Sequence, residues 1–69
     1  MRNYEIIVAL FSGARKIGSI CVHARAKSCF EAAVNAERMA EGSYGADVYG
    51  AARKVREIGR TEYNAALAA

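Results

Sequence analysis

The segment from Tyr4 to Ala26 constrains the fold most, because it contains two strand-like runs separated by a short turn. The first run, YEIIVALF (residues 4–11), is rich in β-branched and aromatic residues. The turn SGAR contains Gly13, which can adopt positive φ without strain, and strand character resumes from Lys16 to Ala26. This segment therefore predicts a β-hairpin.

Alternation along the two strands predicts which side chains face the core. In the first strand Tyr4, Ile6, Val8 and Leu10 share one face, and Glu5, Ile7, Ala9 and Phe11 share the other. In the second strand the residues expected to be buried are Ile20, Val22 and Ala24, and those expected on the opposite face are Cys21, His23 and Arg25.

A capped helix is predicted after the hairpin. Ser28 and Glu31 form a capping-box pattern, in which the hydroxyl accepts from a backbone amide and the carboxylate reaches back to the cap. Residues 29–41 are strong helix formers, and Gly42 is expected to end the helix as a left-handed residue. The side chains expected on its sheet-facing side are Phe30, Ala33, Val34 and Ala36 or Ala40.

The segment from Asp47 to Ile58 supports two interpretations. Residues 47–49 are typical of the start of a strand that continues toward Val55, but residues 51–58 also fit a helical pattern. A short strand followed by a helix therefore competes with one long, bulged strand. We favour the strand, because a two-stranded sheet is marginal in water and a third strand gives the helix a platform.

The predicted order is β-β-α-β. This is a two-layer α+β domain with one helix packed on a three-stranded antiparallel or mixed sheet. Residues 1–58 form the single domain, and residues 59–69 form a C-terminal tail that either frays or forms a short helix. Fifteen of the 69 residues are alanine, so the core is thin, and oligomerisation or a docked partner would stabilise it.

Residues with catalytic or metal-binding chemistry are few. His23 is the single histidine, which excludes a multi-histidine metal site, and Glu37 and Glu41, one helical turn apart, are expected to be solvating charges. Cys21 and His23 share a face, but their Cα atoms lie about 6.5–7 Å apart by the strand rise, and no orienting third group is evident. We therefore predict no enzymatic activity, no metal and no cofactor.

Other function classes are also disfavoured by sequence. The segment GARKIGS (residues 13–19) lacks the lysine of a phosphate-binding loop and joins two strands, which excludes a nucleotide site. Cys21 and Cys29 are too few for a disulfide scaffold, and no stretch approaches the roughly 20 apolar residues of a membrane span. The opening residues do not match a secretory signal. We expect a cytoplasmic protein with reduced thiols.

Basic residues provide the candidate binding surface. The formal charge is +3 and the pI is about 9.1, while the predicted helix and its exit loop are acidic. If the third strand lies beside the hairpin, Arg25, Arg53 and His23 share the face away from the helix. The alternative is that these are solvating charges that discourage aggregation. The candidate partner-binding residues are Arg15, Lys16, His23, Arg25, Arg53, Lys54 and Arg56.

The hairpin, the helix EAAVNAERMAEG and the strand GADVYGAARKV resemble, in layout, small proteins encoded by bacteriophages and prophages, some of them anti-CRISPR proteins. The resemblance spans residues 4–58. It implies a stoichiometric inhibitor that occupies a surface of a host protein or ribonucleoprotein complex, such as a CRISPR effector, in the bacterial cytoplasm. The charge of +3 argues against an inhibitor that mimics DNA, which would be strongly acidic.

Two other functions compete with protein binding. A basic nucleic-acid-binding module would contact phosphates, but only Phe11, Tyr44, Tyr49 and Tyr63 are available for base stacking, and the predicted helix is net acidic. A self-associating structural subunit, such as a homodimer, would use apolar Ile7, Phe11 and Cys21. We rank protein binding first.

Overall fold

The computed structural model describes residues 1–45 and 47–69. These residues form β1 (Arg2–Ser12), β2 (Arg15–Ala26), α1 (Cys29–Tyr44), β3 (Val48–Ile58) and α2 (Arg60–Ala68). The strands make one antiparallel sheet in the order β2-β1-β3, and α1 packs against one face of it. The predicted α+β class is confirmed, and the sheet is antiparallel rather than mixed.

The local predictions for the strands are confirmed in their main features. Gly13 adopts φ of +62° in the hairpin turn. Residues 51–58 continue β3, so the strand interpretation of this segment is correct. The strand contains a bulge, because the pairing with β1 passes from Lys54 opposite Ile7 to Ala52 opposite Val8 and leaves Arg53 unpaired between them. Residues 60–68, within the predicted tail, form α2.

Helix α1 begins where the sequence predicts and ends later. Ser28 Oγ accepts a hydrogen bond from Glu31 N at 3.2 Å, as expected for the cap. The Glu31 carboxylate accepts from Lys27 N rather than from the cap residue. The prediction that Gly42 ends the helix is wrong: α1 continues to Tyr44, and Gly45, with φ of +96°, provides the left-handed residue. Glycine permits a left-handed stop but does not impose one.

The prediction for the sheet-facing side of α1 is confirmed for Ala36 and Ala40 and wrong for Phe30. Ala32, Ala36 and Ala40 are buried, whereas Phe30 is 71% exposed. The alanines, four residues apart, form a narrow stripe that allows α1 to approach the sheet closely. At the contact with β3, a Cβ atom added to Gly50 would lie 3.3 Å from Ala40 Cβ of α1. Because α1 lies close to the sheet, its small alanine side chains face the core, and the larger Phe30 side chain is exposed.

The core lies between α1 and the central strand β1. The four even-numbered residues of β1 predicted to be buried are at most 4% exposed: Tyr4, Ile6, Val8 and Leu10. Val22 is buried beside them, and Ile20 and Ala24 pack against the same cluster, as alternation predicts. Among the described residues, no helix combines the length and apolarity needed to cross a membrane.

Candidate binding surface on the open sheet face

The face of the sheet opposite α1 carries most of the predicted site residues. Cross-strand partners share a face, so the register places Glu5 with His23 and Arg56, and Ile7 with Cys21 and Lys54. Phe11 lies on the same face between Lys16 and Tyr49. We call the surface formed by these three rows the open face.

Helix α2 closes one end of the open face. Arg56 donates to Glu62 Oε2 at 2.6 Å, which ties α2 to β3. A cleft of about 400 Å³ lies at this end and is lined by Arg25, Tyr63 and Asn64, together with Met1, Asn3 and Arg60. The sequence did not predict this arrangement, because nothing in the alanine-rich tail indicates where it packs.

A charged cluster occupies the part of the open face next to α2. Glu5 Oε1 accepts from Arg56 Nη2 at 3.0 Å, and Glu5 Oε2 lies 3.4 Å from His23 Nε2. The hydrogen bond from Arg56 is the main reason that the pKa of Glu5 is lowered. Hydrogen bonds to Glu62 and Glu5 in turn raise the pKa of Arg56. Arg56 is therefore neutralised by two carboxylates within the domain.

Cys21 lies beside this cluster. Its Sγ atom, a carboxylate oxygen of Glu5 and a ring nitrogen of His23 all lie within 4.8 Å of one another. Cys21 is an exposed residue, but desolvation of its thiol, followed by the charge of Glu5, raises the pKa of that thiol. This shift favours the thiol over the thiolate, so the pair lacks the activation that a cysteine nucleophile requires.

Alternation along β2 places Cys21 and His23 on one face but does not bring Glu5 to them. Alternation along β1 assigns Glu5 to the same face of the sheet, which is the one indication in the sequence that Glu5 could lie near Cys21 and His23. The missing information was the register between β1 and β2, which sets Glu5 directly opposite His23.

An aromatic pair occupies the other end of the open face. The rings of Phe11 and Tyr49 stack with centroids 5.3 Å apart and planes 15° apart. Tyr49 Oη donates to Gly13 O at 2.9 Å, which holds this ring at the hairpin turn. The bulge in β3 brings the Arg53 guanidinium carbon to 5.5 Å from the centre of the Phe11 ring, in cation–π geometry.

The candidate partner-binding residues fall into two groups. His23, Arg25 and Arg56 lie toward the α2 end of the face, and two of them contact Glu5. Lys16 and Arg53 lie at the aromatic end, and Lys54 lies opposite Ile7 in the middle of the face. Arg15 borders the hairpin turn opposite Ser12. Arg25 and Arg53 share a face, as the sequence analysis expected, but lie toward opposite ends of it.

The two outer edges of the sheet differ. Glu37 Oε2 accepts from Ala52 N at 2.8 Å and Glu41 Oε2 accepts from Gly50 N at 3.3 Å, so α1 covers the edge of β3. The prediction that these acids only solvate the helix is wrong, because α1 lies over that edge. Within residues 1–45 and 47–69, no strand pairs with the outer edge of β2.

In comparisons with known proteins, no family model, no curated protein and no solved structure matches the chain.

Proposed function

We propose that this protein is a non-enzymatic binding module that uses the aromatic end of the open face to bind an acidic surface of a partner protein. The observation that carries the proposal is a set of unpaired cations that extends from Phe11 to the middle of the open face. Lys16, Arg53 and Lys54 form no ion pair with any residue that the structure describes, unlike Arg56. These cations are exposed and available to carboxylates from outside the domain.

The state of the aromatic rings favours a protein over a nucleic acid. Non-specific binding of single strands depends on aromatic faces on which bases stack. Phe11 is already engaged by Tyr49 and Arg53, and the Tyr49 hydroxyl is held at the turn. The surface therefore offers cations and half-buried apolar side chains, such as Ile7, and its exposed ring, Tyr49, already stacks on Phe11.

Charge also disfavours a second copy of the chain as the partner. Antiparallel pairing of β2 with β2 of another copy would bring the basic start of the strand, Arg15 and Lys16, toward Arg25 and Lys27 at its end. Contact between two open faces would likewise oppose like charges. A partner of opposite charge avoids both penalties.

The layout resemblance described above supports a bacterial host complex, such as a CRISPR effector, as the setting for this interaction. In that setting the protein inhibits or modulates the complex stoichiometrically, in the cytoplasm. Blocking an acidic patch on one subunit requires no catalysis and no cofactor from the small domain.

The test compares two double charge reversals of equal size. Lys16→Glu with Lys54→Glu alters the open face, whereas Lys27→Glu with Arg38→Glu alters exposed cations outside it. Each tagged protein, checked for folding by circular dichroism, is used to capture partners from bacterial lysate with and without nuclease. We expect a stoichiometric, nuclease-resistant protein partner that the open-face variant loses and the control variant retains.

Three results would overturn the proposal. Retention of nucleic acid alone, lost on nuclease treatment or at moderate salt, would indicate the nucleic-acid module instead. Equal recovery of the partner by the open-face variant would remove this surface from the interaction. A mass that doubles with concentration, with no foreign partner recovered, would indicate self-association.

A further inference from the structure

We propose that Glu5, Cys21 and His23 form a binding site for a thiophilic divalent cation of the Zn²⁺ class. The three side chains provide one carboxylate oxygen, one sulfur and one ring nitrogen, all within 4.8 Å of one another. This inference does not depend on the protein-binding proposal, because it concerns a different cluster of residues on the open face.

The sheet holds the three side chains in position. Glu5 lies on the central strand directly opposite His23, and Cys21 lies two residues before His23 on β2, on the same face. Zinc ligands lie about 2.0–2.3 Å from the metal, which places the ligand atoms of a tetrahedral site about 3.3–3.8 Å apart. The Glu5–His23 separation of 3.4 Å already meets this spacing. The Cys21 sulfur lies within 4.8 Å of both other ligand atoms on an exposed side chain, so side-chain rotation can move it toward the metal.

The chemistry of the three donors selects the class of cation. A thiolate and an imidazole favour Zn²⁺ and similar metals over Mg²⁺ and Ca²⁺, which prefer all-oxygen sites. Coordination replaces the thiol proton of Cys21, which passes to solvent. Three protein ligands on a solvent-facing surface leave the fourth position to water.

Arg56 supports this geometry from outside the ligand set. It holds Glu5 Oε1 at 3.0 Å, while Glu5 Oε2 lies next to His23. Partners of this kind orient a ligating side chain, and their loss typically costs about 10–100-fold in metal affinity. The charge of Arg56 is shared with Glu62 at 2.6 Å, which reduces its repulsion of a bound cation.

The two cysteines provide a matched pair for the test. Cys29 is the second free thiol and lies at the start of α1, so Cys29→Ser removes a thiol without removing a proposed ligand. The tag-free, reduced chain is titrated with Co²⁺ as a spectroscopic substitute for Zn²⁺, and then with Zn²⁺ by calorimetry. We expect one ion per chain, a thiolate-to-cobalt charge-transfer band and displacement of Co²⁺ by Zn²⁺.

The variants decide whether the proposed residues are the ligands. Cys29→Ser should retain the band and the affinity. Cys21→Ser should lose the charge-transfer band. His23→Gln and Glu5→Gln should each weaken Zn²⁺ binding by roughly 100-fold or more. This loss exceeds the effect expected from removing a residue that only orients a ligand, such as Arg56. In the wild type, Zn²⁺ should shift the NMR signals of the His23 ring, a readout that does not require any variant to fold.

The proposal fails if Cys21→Ser keeps the charge-transfer band or if Cys29→Ser abolishes it. It also fails if the His23 ring signals do not move when Zn²⁺ is added. One ion shared between two chains would exclude a site contained within a single copy.

Discussion

Glu37 of α1 accepts a hydrogen bond from the backbone N–H of Ala52 in β3, with 2.8 Å between the two atoms. Glu41 makes the corresponding contact with Gly50 one helical turn later. An uncovered edge strand presents free backbone donors on which a foreign strand can pair. The helix therefore protects one edge of the sheet with two side chains that sequence analysis had assigned to solvent.

Replacing Glu37 tests this protective role. Glu37→Ala removes the acceptor of a partly buried amide, so we expect the free energy of unfolding to fall by about 1–3 kcal/mol. Glu37→Gln keeps an acceptor oxygen on a side chain of the same length, so its free energy of unfolding should fall by less. Urea denaturation measures both variants. Identical midpoints for Glu37→Ala and the wild type would show that the bond contributes nothing to stability.

Two glycines should respond in opposite ways to alanine. A Cβ at Gly50 would meet Val8 Cγ1 at 2.9 Å and Ala40 Cβ at 3.3 Å, so Gly50→Ala should destabilise the domain by about 1–3 kcal/mol through overpacking. Gly42 lies inside α1 with open space around it, so Gly42→Ala should stabilise the domain by about 0.5–1 kcal/mol. Thermal denaturation of the pair provides the measurement. A stabilising Gly50→Ala would contradict the close approach of α1 and β3.

The cap of α1 can be tested within the same helix. Ser28→Ala removes the side chain that accepts from Glu31 N, so we expect a loss of about 0.5–2 kcal/mol. Ser43→Ala is the control, because that hydroxyl only donates to the carbonyl of Met39 in the preceding turn. Unchanged stability of Ser28→Ala, measured by chemical denaturation, would remove the cap assignment.

The Glu5 cluster should make stability depend on pH in the acid range. The pKa of Glu5 is below its ordinary value of 4.5, mainly because of the hydrogen bond from Arg56, with a smaller contribution from His23. A lowered folded-state pKa contributes stability that is fully present above the unfolded value. That stability is lost as the pH falls through the folded value.

The corresponding measurement is unfolding by urea across this pH range, with a chelator present so that metal binding does not contribute. The wild type should lose stability more steeply than Glu5→Gln, which cannot titrate at this position. Glu62, the other carboxylate at Arg56, is unchanged in both proteins and serves as a common background. Parallel curves for the two proteins would exclude a stabilising role for the ionised Glu5.

Elements with strong local signals were predicted well. The hairpin turn at Gly13 and the cap at Ser28 follow from short stretches of sequence, and both are present. For residues 51–58 local sequence fits a strand and a helix alike, and the strand is favoured because the sheet needs a third strand. The end of α1 was not predicted, because both Gly42 and Gly45 can adopt a left-handed conformation and local sequence does not choose between them.

The candidate sites required more than local signals. Alternation correctly placed Cys21 and His23 on one face, but the contact of His23 with Glu5 depends on how β1 and β2 align. The contact of Arg53 with Phe11 depends on the bulge in β3. The sequence of residues 47–58 is compatible with a bulge but does not specify its position.

The sequence by itself determined the hairpin and the start of α1, the buried side of β1 and β2 and the basic character of the chain, because these properties arise from neighbouring residues. Only the tertiary structure decided the face of α1 that meets the sheet, the cover over the β3 edge and the grouping of Glu5, Cys21 and His23. Each of these joins residues that are distant in sequence and depends on strand register and helix–sheet distance. Packing of the whole domain sets both quantities.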